Sequence, residues 1–519
     1  MELKLLMKSA RSAVLELSDG GIYYTKEPYR VFLGEREWVR TDTVVTSLFG
    51  LSPDTEYVVR ILTESGEETA DLTFSTDPEF VTLNVREFGA KGDGVSDDTE
   101  FLQAAICACP AGSRVLVPAG TYRIRSLFLK SGLRMELAKG ATLAADPDRT
   151  HYPVFPGLIQ SYDETEEYNL GTWEGNPLPM FAGIITGLYV EDVILYGEGC
   201  IDGCATKENW WRDPKKKNIA FRPRLVFLSH CNKVTLQGLT CKNSPAWTLH
   251  PYFSTDLGFY SLTVENPSDS PNTDGLDPES CSDVVIEGVR FSLGDDCIAV
   301  KSGKIYMGRK FRQPSENILI RQCLMENGHG AVTIGSEMAG GVRNLKVEEC
   351  IFRCTDRGLR IKTRRGRGKD AVLDDISFWR IDMDHVMTPF VVNAFYFCDP
   401  DGKTHYVQSR EEMPVDERTP EIRRLAFEEI KASNCHVAAA FFDGLPERKI
   451  EEIIMRDVEV SFAQDAVSGV PAMSEGVEPC KKRGLFARNV AKLTLKNVQI
   501  TGAQGETFEL TGVDEIVQD

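Results

Sequence analysis

Four short clusters lie between Asn272 and Lys362: Asn272-Thr273-Asp274-Gly275, Gly294-Asp295-Asp296, Gly328-His329-Gly330 and Arg360-Ile361-Lys362. They hold three carboxylates, one imidazole and two cations. Crowded carboxylates cannot all ionise freely, so one keeps its proton while another stays anionic, which is the division that general acid and base hydrolysis needs. His329 between two glycines can orient or tune such an acid through a hydrogen bond. Arg360 and Lys362, two apart on a strand, project to one side as a cationic pair that matches a substrate carboxylate. Asp295 and Asp296 would point to opposite faces of a regular strand, and Gly294 permits a bend that turns both outward. Three aspartates can also bind calcium, but the interleaved histidine and the glycine-flanked pair favour proton transfer, and no metal is expected. Singly, each cluster has an ordinary explanation as a turn or a solvated strand face. Their joint placement is what calls for chemistry.

The separations between the clusters exceed any helical turn or hairpin, so the chain has to return to one place once per coil. From about residue 190 onward, apolar residues recur at positions i, i+2 and i+5: Val234/Leu236/Leu239, Leu257/Phe259/Leu262, Val284/Ile286/Val289, Ile318/Ile320/Cys323, Leu345/Val347/Cys350, Ile376/Phe378/Ile381, Leu425/Phe427/Ile430, Ile453/Met455/Val458 and Leu493/Leu495/Val498. Successive copies are roughly 23 to 50 residues apart, a repeat of solenoid type. Alternation at i and i+2 means a strand with one face inward, and a unit that cannot bury that face alone must stack on its neighbours. The expected fold is all-β, a right-handed parallel β-helix. A β-propeller would need more regular spacing. Equivalent positions on successive coils lie about 4.8 Å apart, so the four clusters are expected to form a column on one face.

Residues 1–78 differ from the rest. Short alternating segments are broken by turns, and Leu51-Ser52-Pro53-Asp54-Thr55-Glu56-Tyr57 resembles the tyrosine corner of fibronectin type III sandwiches, whose hydroxyl bonds back to nearby backbone. A small N-terminal β-sandwich is expected there, with the β-helix over 79–519. Near its start, Phe88–Thr99 forms a Gly/Asp turn before an amphipathic helix, with Asp98 or Thr99 as N-cap and Leu102, Ala105 and Ile106 on one face, suited to capping the solenoid. The stretch from about Asp146 to Arg222 lacks the repeat and carries Trp173, Trp210, Trp211 and the basic run Lys215-Lys216-Lys217, as a lid or functional loop would.

The chain has 519 residues and a formal net charge of −19. That charge argues against nucleic acid as a partner, and a local cationic pocket is needed if the substrate is an anion. No apolar run reaches the length of a membrane span, and the N-terminus carries no apolar stretch of export-signal length. The 14 cysteines are therefore expected to be reduced, in a cytoplasmic protein. Cys323 and Cys350, in one repeat slot, behave as small core hydrophobes.

In their order, the four clusters resemble the signature motifs of the family 28 glycoside hydrolases, the polygalacturonases. The likeness extends over Phe88–Gly94 and Ser244–Pro251, from about Val85 to near the C-terminus. It implies metal-independent, cofactor-free, inverting hydrolysis of α-1,4-linked galacturonate in pectin. Carried over by position, Asp295 would protonate the glycosidic oxygen. Asp274 and Asp296 would activate water, with carboxyls about 6.5 to 9.5 Å apart. His329 would keep the acid in its working state, Arg360 and Lys362 would hold the uronate carboxylate, and Asn272 would position the water-binding acids. The N-terminal module and long insertions are similar to those of bacterial exo-acting members, which implies an exo-galacturonidase that trims imported oligogalacturonates. The alternatives are a hydrolase of rhamnogalacturonan or xylogalacturonan, a calcium-dependent lyase, and a non-catalytic carbohydrate-binding β-helix. The run Arg364-Arg365-Gly366-Arg367-Gly368-Lys369 is expected to extend the anion pocket.

Overall fold

The first and second triad positions set how the coils stack. In the computed structural model, which describes residues 1–69, 71–159 and 169–518, Val234 pairs in parallel with Leu257. The same register continues through Val284, Ile318, Leu345, Ile376, Leu425 and Ile453 to Leu493. All nine are at most 2% exposed. A slip of one residue would turn every one of them to solvent, which is why the register holds over so many coils. The result is a right-handed parallel β-helix whose largest sheet has 24 strands. Its bends are also encoded. The residue before the first triad position is left-handed in coil after coil: Asp256, Asp283, Asn317, Asn344 and Asp375 have φ between 49° and 57°. Asp and Asn are the non-glycine residues that tolerate this backbone best.

A second sheet carries the site. It begins as four strands, Leu127–Phe128, Ile185–Leu188, Val226–Ser229 and Leu249–Tyr252, and resumes as seven, from Ile298–Val300 to Phe508–Thr511. Between them the coil through Asn272–Glu279 forms no strand and is joined by single bridges, Leu249↔Leu276 and Tyr252↔Glu279 on one side and Leu276↔Ile298 and Glu279↔Lys301 on the other. The sheet is thus interrupted at the coil that carries Asp274.

The helix Thr99–Ala108 closes the N-terminal end with Leu102, Ala105 and Ile106 buried. Asp98 is its N-cap residue, but the carboxylate turns back to accept from the Lys91 and Gly92 amides instead of capping. Among the described residues no helix is long and apolar enough to cross a membrane. All 14 cysteines are free thiols, eight of them buried.

Before the solenoid, a three-stranded antiparallel sheet (Glu2–Lys8, Ser12–Ser18, Val45–Phe49) faces a four-stranded one (Tyr24–Leu33, Arg36–Thr43, Glu56–Thr63, Leu72–Ser75) across a core containing Leu15, Leu17, Tyr29, Val31 and Ile61. The Tyr57 hydroxyl accepts from the Ser52 amide at 2.8 Å, the tyrosine corner expected of a fibronectin-like sandwich. This sandwich lies along the solenoid. Gln237 accepts from Ser12 and donates to the Ala13 carbonyl, Gln322 accepts from the Tyr23 amide, and Arg380 donates to the Gly20 carbonyl. Arg321 joins Glu16 of the sandwich to Glu287 and Glu349 of the solenoid at 2.5 to 2.8 Å. Burial pushes Glu287 up to about 7 against the pull of that guanidinium. Arg321→Met leaves the nearly buried Glu16 and Glu287 without their cation, while Glu349 keeps Arg380, and is expected to lower the unfolding free energy by about 3 kcal/mol in urea titrations. A change below about 0.5 kcal/mol would show that the joint carries no stability.

Candidate functional site

Asp274 and Asp296 each stand two residues before bridged rung positions, Leu276 and Ile298, so stacking brings them together although 22 residues separate them. Gly275 donates to the Asp296 carbonyl at 3.0 Å, and Cys297 donates to that of Gly330 at 2.8 Å. The glycines around the acids serve close approach. A Cβ on Gly294 would lie 2.4 Å from the Ser268 carbonyl oxygen, one on Gly328 2.7 Å from that of Asp295, and one on Gly330 2.3 Å from Thr333 Oγ1. The bend expected at Gly294 is therefore better described as a contact that only glycine allows.

Asp274, Asp295 and Asp296 each bring one oxygen within 4.8 Å of the others. The short rise between coils, combined with two adjacent acids on one coil, draws these oxygens together. Asp274 and Asp295 line a cavity of about 760 Å³ together with Asn272, His329, Arg360 and Lys362. Asp296 is fully buried behind it. All seven residues singled out from the sequence thus gather in and behind one cavity.

Asp274 and Asp296 are shifted in opposite directions. Burial drives the Asp274 carboxyl well above the usual carboxylate range, and the neighbouring Asp295 and Asp277 add to the push. Burial also acts on Asp296, but Lys362 Nζ at 2.8 Å and Arg360 Nη1 at 3.0 Å outweigh it and hold the carboxylate far below its ordinary value. The two cations expected to face a substrate carboxylate are thus also engaged with Asp296. His329 bonds through Nδ1 to Asp356 of the next coil at 2.7 Å, which raises its pKa against the lowering effect of burial. Its expected bond to the acid is made by the backbone instead, where the His329 amide donates to the Asp295 carbonyl at 3.0 Å. Asn272 accepts from Arg222 Nη2 at 2.8 Å. By distance alone the three aspartates could hold a divalent cation, but Lys301, Arg360 and Lys362 already supply positive charge around them.

Several cavity residues had no signal in the four clusters. Lys301, 3% exposed, places Nζ 3.2 Å from Glu337, 3.5 Å from Asp277 and 3.8 Å from Asp274, over the Trp247 ring at 4.4 Å. Glu337 and Glu174 stand on the same wall. Lys215, from the basic run in the long insertion, also reaches the cavity. The run 364–369 does not extend it. Arg364 is paired with Asp399 and Asp401, Arg365 with Glu447, and Arg367 with Asp399, all three guanidiniums being buried. Their partners lie in later loops, and the run braces Asp399, which does line the cavity.

The model of the glycosyl hydrolases of family 28 matches residues 107–477. A probable polygalacturonase of Vitis vinifera is 29% identical over 438 residues, which is 82% of this chain and 84% of that one. Among solved structures, a hyperthermoactive exopolygalacturonase from Thermotoga maritima superposes with a TM-score of 0.63 at 26% identity, over 82% of this chain and 93% of that one. A family 28 exopolygalacturonase of Yersinia enterocolitica reaches a TM-score of 0.70 over 99% of this chain and 98% of its own, at 18% identity, a likeness of fold.

Proposed function

This chain belongs to the glycosyl hydrolases of family 28, and we propose that it hydrolyses the α-1,4-galacturonosidic bonds of pectic oligomers from the chain end, with inversion at the anomeric carbon. The observation that carries the reading is the convergence of three carboxylate oxygens within 4.8 Å, with Asp274 raised by burial and Asp296 lowered by its two cations, at a cavity that also presents Arg360 and Lys362.

Asp295, open to the cavity, gives its proton to the glycosidic oxygen as the bond breaks. Asp274, in its ionised form, takes a proton from the attacking water. Asp296, fixed as a carboxylate by Lys362 and Arg360, polarises that water and stabilises positive charge developing at the anomeric carbon. His329, oriented through Nδ1 by Asp356, stands with Asp295 on the cavity wall and positions that acid. The outward N–H groups of Arg360 and Lys362 take the uronate carboxylate, and Asn272, fixed by Arg222, steadies the water. Inversion is favoured over retention because Asp296 is buried and already doubly bonded, which makes it a poor nucleophile, while two carboxylates remain for one water.

Chain-end action is supported by the insertion that brings Glu174 to the cavity wall and by the likeness to enzymes described as exopolygalacturonases. Residues 1–78 form the sandwich module and 79–519 the catalytic solenoid in this reading. Eight buried free thiols fit a reducing compartment and a role on imported oligomers. Digestion of defined oligogalacturonates, followed by size and by proton NMR, is expected to release only mono- or digalacturonate from the outset, with the β-anomer appearing first. An early ladder of intermediate sizes would remove exo action. An initial α-anomer would remove inversion, and preferential cleavage of rhamnogalacturonan would replace the substrate.

A further inference from the structure

We infer that Glu174 accepts a hydrogen bond from the free 4-hydroxyl of the non-reducing terminal galacturonate, and so selects the end of the chain over its interior. The inference rests on the chain-end reading above and assigns it to one side chain.

Trp173-Glu174-Gly175-Asn176 is a tight hairpin turn closed by two backbone hydrogen bonds, Trp173 to Asn176 at 2.9 Å and back at 3.1 Å. Its central residues both have positive φ, 45° for Glu174 and 74° for Gly175. Asn-Gly and Asp-Gly are the usual occupants of such a turn, and a glutamate at the first central position is a conformational cost with no local return. The turn is held firmly. The Trp173 ring stacks on Phe221 at 4.7 Å, and the Arg224 guanidinium lies 4.7 Å from its centroid. The Gly175 carbonyl accepts from the Lys304 amide at 2.9 Å, and a Cβ on Gly175 would lie 2.7 Å from Glu337 Cγ. Glu174 therefore projects from a braced turn into the cavity that holds Asp274 and Asp295.

Among the described residues no group donates a hydrogen bond to this carboxylate, whereas its neighbour Glu337 receives bonds from Lys301 and Ser336. Burial and the neighbouring Glu337 raise the Glu174 pKa above the usual carboxylate range, and in its ionised form the group can only accept. With Glu337 beside it, a further anion is repelled, so the sugar must present a hydroxyl edge here and keep its own carboxylate elsewhere. Along an α-1,4 chain the 2- and 3-hydroxyls occur on every residue, but O4 of each internal residue is glycosylated and has no proton. Only the non-reducing terminal residue carries a 4-hydroxyl to donate. An acceptor built into a wall thus rewards the terminal sugar and blocks any residue beyond it.

The test compares wild type, Glu174→Ala and Glu174→Gln on two trimers: saturated trigalacturonate, and the trimer whose non-reducing residue is 4,5-unsaturated and lacks the 4-hydroxyl. Wild type is expected to favour the saturated trimer in kcat/KM by at least about 30-fold, because a site built around a hydroxyl rejects the analogue without it. Glu174→Ala is expected to reduce that preference to less than threefold. The isosteric Glu174→Gln, which keeps one acceptor and the volume, is expected to fall between them. If wild type releases only end products and Glu174→Ala keeps the wild-type preference, the assignment of Glu174 is overturned alone. If wild type produces a ladder of internal products, the chain-end reading is overturned first, and this inference with it.

Discussion

Asp295→Asn is expected to lower kcat about 10³- to 10⁴-fold while leaving oligogalacturonate binding within a few fold, since general acid catalysis contributes up to about 10⁴. At about 1.36 kcal/mol per decade this is roughly 4 to 5.5 kcal/mol of transition-state stabilisation. The substitution is nearly isosteric. Asp295 Oδ1 accepts from the Asp296 amide at 2.9 Å, and an asparagine carbonyl oxygen can keep that bond. The His329 amide contact is to the backbone carbonyl and is untouched. What disappears is a transferable proton at the glycosidic oxygen. Steady-state rates with bound-substrate titration separate the outcomes. A variant that keeps more than a tenth of wild-type turnover would remove Asp295 from the acid role, and a protein that binds oligomers but turns over none in either form would be the carbohydrate-binding alternative.

Lys301→Met is expected to have the other large effect, on stability and on the pH profile together. The ammonium is buried between Glu337, Asp277 and Asp274, and neither Asp277 oxygen has a hydrogen-bond partner among the described residues. Burial already pushes Asp277 up to about 8, with Lys301 opposing that shift. Removing one partner of such a buried set costs about 3 to 5 kcal/mol. The sign with pH follows from the raised carboxyls. Their unfolded counterparts ionise near pH 4, whereas Asp277 does so near 8 in the folded state, so folding loses stability as pH rises across that window, and without Lys301 the loss is steeper. The deficit should therefore be smaller at pH 5 than at pH 8 in urea titrations. In activity, Asp274 loses a charge that lowers its pKa and stays protonated to higher pH, which moves the acidic limb of the kcat/KM profile upward. An unmoved limb would exclude Lys301 from tuning Asp274.

Much of this architecture is legible in the chain because a solenoid repeats itself. The triads from Val234 to Leu493 fall in register coil after coil, and the four clusters meet because register alone carries them to one face. The aspartate or asparagine before five of the nine triads marks a left-handed bend that is equally legible in the chain. Register gives the rise between coils but not the direction of each side chain, which is why the pairing of Asp296 with Arg360 and Lys362 has no signal in the chain. Lys301 and Glu337 compensate each other across 36 residues, so each stands as a lone charge in an apolar strand region with no local motif. The arginines at 364, 365 and 367 resemble an anion pocket only until Asp399, Asp401 and Glu447 fold over them.

A solenoid is a chain of nearest-neighbour contacts, and in principle it can unzip from either end one rung at a time. The N-terminal sandwich touches the solenoid at Gln237, Gln322 and Arg380, points spread over six successive coils, or about 24 Å of axis at the parallel-strand spacing. It acts as a splint along the flank of the rungs that carry the acids. Fraying that begins at the far C-terminal rungs has to break a whole block at once when it reaches the splinted stretch, so the catalytic rungs unfold as one cooperative unit.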